Sequence, residues 1–199
     1  INRLSYGVQS ANPEELRMLE REHTYLEAVK AFRQARRAGF DNLNLDLIFG
    51  LPEQNLRSWQ NTLELVLGLR PEHFSLYALT LEHGTPMAHW GGRGVMQEPD
   101  PDLAADMYEL ACEVLGAAGY RQYEISNWAL EDGQGWRTCL HNLQYWRGLP
   151  YLGLGAGAHG YAGGVRTVNV LAPKAYIQRC QDGDPQNFPR TPATTQAEK

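Results

Sequence analysis

Leu43-Asn44-Leu45-Asp46-Leu47-Ile48-Phe49-Gly50-Leu51-Pro52 is the stretch that decides how this 199-residue chain folds. Residues 42–50 carry Leu43, Leu45, Leu47, Ile48 and Phe49 and end at Gly50 ahead of Pro52, and they read as a buried strand. Asp46 interrupts that run. A carboxylate inside an apolar strand needs a partner, so Asp46 either serves a ligand at the strand end or pairs with an arginine or a neighbouring loop for structural reasons.

Working upstream, residues 3–8 form a short apolar run ending in Gly7-Val8-Gln9-Ser10. Asn12-Pro13-Glu14-Glu15 then reads as a helix start, with proline in the first turn and acids at the positive dipole end. Thr24 with Glu27 forms a capping box for a second helix that carries Leu26, Val29 and Phe32 and closes at Gly39. Downstream, Leu56, Trp59, Leu63, Val66 and Leu67 follow helical spacing and lead through Pro71 into strand-like residues 74–79. A glycine-rich loop over residues 91–94 precedes another amphipathic helix with Leu103, Met107, Leu110, Val114 and Leu115, which stops at Gly119. Residues 122–126 read as a further strand. This alternation predicts an α/β fold, a parallel sheet with outer helices.

From Gly133 the rhythm gives way to aromatic and glycine-rich sequence. Residues 151–157, Tyr-Leu-Gly-Leu-Gly-Ala-Gly, read as a strand feeding a close-approach loop. Residues 181–199, rich in Pro, Thr, Gln and Asn, read as a loosely ordered linker. Residues 1–180 are expected to form one domain.

The formal net charge of −5, with 18 Lys and Arg spread along the chain, leaves no basic field for a phosphate backbone, so no nucleic-acid partner is expected. Cys112, Cys139 and Cys180 lie far apart, without the spacing of a disulfide framework or a self-contained metal site, which fits a reducing compartment. No apolar run has the length of a membrane span. The chain opens without methionine and almost directly inside a strand, so a longer gene product is expected.

In parallel β/α folds, ligands lie at the carboxyl ends of the strands. The strand-end candidates are Gln9, Asp46, Thr80, Glu82, Glu124 and Asn127. A second constellation, Cys139-Leu140-His141-Asn142-Leu143-Gln144-Tyr145-Trp146, gathers a thiol, an imidazole, a phenol and an indole, which suits a flat cofactor such as haem. A packed surface turn accounts for the same residues. Gly153-x-Gly155-x-Gly157 reads as a cofactor loop or, equally, as a tight packing turn.

Asn2-Arg3-Leu4-Ser5-x-Gly7-Val8-Gln9-Ser10, Arg21-x-His23, Asn44-x-Asp46-Leu47-Ile48-x-Gly50-Leu51-Pro52 and Gly84-Thr85-Pro86 together resemble the later part of a radical S-adenosylmethionine barrel of the coproporphyrinogen-oxidase-like type. Tyr123-Glu124-x-Ser126-Asn127 and His141-Asn142-x-x-Tyr145-Trp146 are similar to the HemW-type haem chaperones within that superfamily. The resemblance implies a partial (β/α) radical-SAM, TIM-like barrel. It also implies a chaperone that binds haem or porphyrin and passes haem to an unidentified acceptor protein, soluble or membrane-associated, in the cytoplasm. The alternative is an oxygen-independent coproporphyrinogen III dehydrogenase.

By the same resemblance, Gln9, Arg21, Asp46 and the backbone of Ala78 fall on S-adenosylmethionine contacts. His141 falls on the haem motif, with Tyr145 and Cys139 as auxiliary ligands and Asn142 as an orienter of the imidazole. The family's [4Fe-4S] cluster is held by a Cys-x-x-x-Cys-x-x-Cys loop, which this sequence does not contain. The cluster is therefore expected only in the full-length parent.

Overall fold

A computed structural model describes residues 1–82, 84–85, 87, 89, 93, 97–133, 135–182 and 190–192. The chain divides into two units, Ile1–Thr138 and Cys139–Lys199; the boundary falls inside the segment 1–180. In the first unit, β1 (Leu4–Gln9), β2 (Leu43–Phe49) and β3 (His73–Ala78) run side by side and parallel. Alternation divides their side chains between two faces. Leu43, Leu45, Leu47, Phe49, Phe74 and Leu76 point one way and are buried with Val8 against the helices. Ser5, Gly7, Asn44, Asp46, His73 and Ser75 share register positions on the other face.

The helices form where their caps begin them. Asn12 caps α1 (Pro13–Met18), and Thr24 and Glu27 make both halves of the expected capping box on α2 (Tyr25–Arg37). Asn55 caps α3 (Leu56–Leu67), and Asp100 caps α4 (Pro101–Ala117). Trp59 of α3 is fully buried, stacks near Phe49 at 5.5 Å between ring centroids, and donates its indole N–H to Met107 O at 2.8 Å. That bond joins α3 to α4 over the apolar face. The glycine-rich loop expected over residues 91–94 lies outside the described residues apart from Arg93.

The strand expected over residues 122–126 forms as β4 (Tyr120–Glu124), but it does not continue the parallel order beside β3. A two-residue turn folds it into a hairpin with β5 (Asn127–Asp132), and β5 takes the place next to β3, antiparallel to it. Burial explains the order. Trp128 and Ala129 of β5 are buried, whereas Arg121 and Gln122 of β4 are exposed, which suits an edge. β6 (Gly135–Trp136) pairs briefly with the end of β5.

In the second unit, α5 (Leu140–Trp146) is followed by the hairpin of β7 (His159–Ala162) and β8 (Val165–Val168), then α6 (Pro173–Asp182). β9 (Arg190–Pro192), inside the expected linker, pairs with β8. The strand expected around Tyr151 reduces to a single bridge with Tyr161. Among the described residues no helix is long and apolar enough to cross a membrane.

Candidate functional site

β1 ends in a bulge: Gly7 pairs with Asp46, yet Gln9 already pairs with Leu47, so Val8 and Gln9 together oppose one residue. Gln9 absorbs the irregularity with a left-handed backbone, φ 64°, costly for a residue with a Cβ. Its side chain lies over Gly7, where an added Cβ would stand 2.8 Å from Gln9 Nε2. Gln9 Oε1 is buried without a hydrogen-bond partner, alone in this among the described side-chain atoms. Strain and an orphaned acceptor at a strand's carboxyl end are the marks of a place prepared for a ligand.

Asp46 sits on the neighbouring strand at the register of Gly7. It makes no ion pair among the described residues. Its partners are neutral: Ser5 Oγ donates to Oδ2 at 2.8 Å, and Asn44 Nδ2 donates to Oδ1 at 2.7 Å. Two of the four acceptor positions of the carboxylate are thus occupied and two remain. Gln9 and Asp46 meet at Gly7, whose missing Cβ leaves the room that the Gln9 amide occupies.

Arg21 is placed differently. It is exposed and lines a hollow of about 190 Å³ with Pro13, Leu16 and His23. A second hollow, of about 290 Å³, has His23 beside Tyr6, Gly7 and Val8. His23 Nε2 stands 3.3 Å from Val8 O, the carbonyl at the bulge. Ala78 is exposed at the end of β3 and lines a third hollow of about 320 Å³ with Phe49, Leu76 and Tyr108, on the helix side of the sheet.

The loop that leaves β1 is anchored by a residue the sequence reading did not single out. Glu15, 4% exposed, accepts from Ser10 Oγ, Ser58 Oγ, Gln54 Nε2 and Asn12 Nδ2. Four neutral donors on three segments thus fix the turn after Gln9 to the start of α3. Of the other strand-end candidates, Thr80 and Glu82 are exposed, and Glu124 and Asn127 bond to each other across the β4–β5 turn.

His73 was likewise passed over. It is 1% exposed, with Nδ1 2.5 Å from Asn44 Oδ1 and Nε2 2.8 Å from Tyr123 Oη. Burial, with a smaller contribution from the Arg3 cation, pushes its pKa down to about 2, so the ring is neutral. The alternation His73-Phe74-Ser75-Leu76 repeats Asn44-Leu45-Asp46-Leu47 and was the available sign of a second polar row.

In the second unit, His141 and Tyr145 lie one turn apart on α5, edge to face with centroids at 4.9 Å, and the aromatic row continues to Tyr151 at 4.5 Å. His141 is exposed, and Gln144 Nε2 lies 3.1 Å from its Nδ1. Gln144, not Asn142, is therefore the residue placed to orient the ring. Cys139 takes the N-cap position of α5 without a side-chain cap bond, and Trp146 is 58% exposed. The glycine triplet is a packing turn. Gly155 N–H donates to Tyr176 Oη, Gly157 N–H donates to Val170 O, and Asn169 Nδ2 donates to the carbonyls of Gly153 and Gly155. Those amides are committed within the protein instead of facing a phosphate.

The radical SAM superfamily model matches residues 1–66. Coproporphyrinogen III oxidase (HemN) from Escherichia coli, a radical SAM enzyme, superposes with a TM-score of 0.76 at 26% identity, over 98% of this chain and 46% of that one. The chain is similar to members of the radical SAM superfamily. Its α/β architecture is correspondingly part of a radical SAM, TIM-like barrel fold. It is 41% identical over 177 residues to the heme chaperone HemW of Bacillus subtilis, covering 89% of this chain and 46% of that protein. It is also 38% identical to the mitochondrial radical S-adenosyl methionine domain-containing protein 1 of Danio rerio, over 91% of this chain and 42% of that protein. The chain thus spans about half the length of the curated relatives it matches.

Asp46 stands on the face of β1, β2 and β3 opposite the helices, with the Gln9 side chain beside it over Gly7. The acceptors there fit the hydroxyls of a nucleoside: an orphaned amide oxygen and a half-occupied carboxylate flank a glycine. They do not fit an iron–sulfur cluster, since no group of three His, Cys, Asp or Glu side chains is placed to hold a metal among the described residues.

Proposed function

We propose that this chain supplies the nucleoside-binding face and the haem-binding helix of a haem chaperone of the radical SAM superfamily. Gln9 and Asp46 take the ribose hydroxyls of S-adenosylmethionine, Arg21 takes the methionyl carboxylate, and the backbone at Ala78 lies along the adenine. The observation that carries this reading is the buried, unpartnered Oε1 of Gln9 beside Asp46, because a hydroxyl donor is what that atom lacks. A [4Fe-4S] cluster, held by cysteines of the full-length parent, would supply the electron for any reductive chemistry.

His141 is the haem ligand, oriented by Gln144, with Tyr145 against its ring and Tyr145 and Cys139 as auxiliary ligands. The similarity to HemW heme chaperones supports this assignment. Haem then passes to an acceptor protein in the cytoplasm or at its membrane. The test is a Soret titration of the full-length protein with haem, wild type against His141→Ala. Weaker binding by the variant supports the role, and equal affinity removes it.

The superposition on HemN favours a second reading, oxidative decarboxylation of coproporphyrinogen III by the parent. Multiple-turnover protoporphyrinogen formation under anaerobic reduction would favour the enzyme over the chaperone.

A further inference from the structure

We propose that His73 is a positioning residue for Asp46: acting through Asn44, it fixes the direction in which the carboxylate offers its remaining lone pairs to the 2′-hydroxyl of a ribose. This inference rests on the reading of Asp46 as a ribose contact.

The polar row runs without a break. Tyr123 O–H meets His73 Nε2 at 2.8 Å, His73 Nδ1 meets Asn44 Oδ1 at 2.5 Å, and Asn44 Nδ2 reaches both Asp46 Oδ1 at 2.7 Å and Ser5 Oγ at 2.6 Å. Ser5 O–H then donates to Asp46 Oδ2 at 2.8 Å. The proton directions follow from chemistry. A carboxylate only accepts, so Asn44 must present its NH2 to Asp46 and its oxygen to His73. Asn44 Oδ1 therefore receives the Nδ1–H of His73, and Ser75 Oγ lies 3.2 Å from the same oxygen. His73 Nε2 is left as an acceptor for the Tyr123 hydroxyl. A reversed Asn44 amide would set two oxygens against each other at 2.7 Å, which the Asp46 carboxylate cannot relieve. The row has one consistent arrangement, and His73 is its buried anchor, 1% exposed.

Its consequence is geometric. With both Asp46 oxygens held by donors that are themselves held, the carboxylate cannot swing about χ2. The two lone pairs not used by Ser5 and Asn44 then point in a fixed direction, which favours a hydroxyl held at that angle. Nothing in the row is a cation, so its effect on Asp46 is orientation.

The test compares binding of S-adenosylmethionine and its 2′-deoxy analogue to the full-length protein. Asp46→Ala should erase the preference for the ribose form. His73→Leu should lower that preference about 2- to 13-fold, the range of one hydrogen bond, and should do nothing further in the Asp46→Ala background. His73→Asn, which can still donate to Asn44, should restore most of it. If His73→Leu weakens both ligands equally, or adds its full effect to Asp46→Ala, His73 is a packing residue and the proposal is overturned. If Asp46→Ala keeps the full preference, the ribose reading of Asp46 fails first and takes this one with it. Should His73→Leu not fold, Tyr123→Phe is read instead. A preference about 2-fold smaller, from losing one end of the row, supports the proposal, and an unchanged preference refutes it.

Discussion

Replacing Gly7 by alanine separates the stability of the fold from the readiness of the site. An ideal Cβ on Gly7 stands 2.8 Å from Gln9 Nε2 and 3.7 Å from its Cδ, so the methyl group and the amide cannot share that space. The atom in the way is the far end of a flexible side chain, so Gln9 rotates off and the strand stays where it is. Folding stability should therefore change by less than about 1 kcal/mol, helped by the smaller unfolded-state entropy of alanine. Binding should suffer more. Turning Gln9 away removes one hydrogen bond to a ligand hydroxyl, about 0.5–1.5 kcal/mol, or about 2- to 13-fold in Kd. The assay is calorimetric titration of the full-length protein with S-adenosylmethionine, alongside thermal melts of Gly7→Ala, Gln9→Ala and the double variant. The double variant should bind no more weakly than Gln9→Ala alone, because the methyl group then displaces nothing. Unchanged affinity in Gly7→Ala, or two losses that simply add, would refute the role given to Gln9.

Two further outcomes follow from buried polar groups. His73 is pushed down to about 2 in the folded chain from an ordinary value of 6.5. The unfolded chain therefore takes up a proton that the folded chain refuses. Its contribution to stability is full above pH 6.5 and is lost as pH falls toward 2, by up to about 1.4 kcal/mol per pH unit. Urea midpoints should consequently fall further in wild type than in His73→Asn between pH of about 7.5 and about 4.5; equal falls would contradict the burial argument. Glu15→Ala leaves Ser10, Ser58, Gln54 and Asn12 without their shared acceptor. It should cost about 2–4 kcal/mol in urea denaturation, and a loss under about 1 kcal/mol would show that water replaces the carboxylate.

What the sequence made legible is what local chemistry decides. The Thr24/Glu27 box, the proline after Asn12 and the apolar run around Asp46 each specify an element by themselves, and those elements formed within a residue or two of their expected bounds. The placement of β5 was hidden because it turns on competition. Residues 120–132 contain two strands, and only the burial of Trp128 against Phe74 decides which lies inside. The bulge at Val8 was hidden for a related reason, since register belongs to a pair of strands and not to either one. Asp46 was marked by its incongruity in an apolar run, whereas its supports, Ser5, Asn44 and His73, are ordinary residues whose meaning comes only from sharing one face. In the second unit the histidine motif was visible, but Gln144 became its partner through helical spacing that favours a residue three positions on over the adjacent Asn142.

The most direct trial of the account is a crystal structure of the full-length protein with S-adenosylmethionine bound. The ribose should lie against Gln9 and Asp46, with one hydroxyl donating to Gln9 Oε1 and the other to Asp46. A ribose found elsewhere, with Gln9 Oε1 still unpartnered and Asp46 bonded only to Ser5 and Asn44, would contradict it.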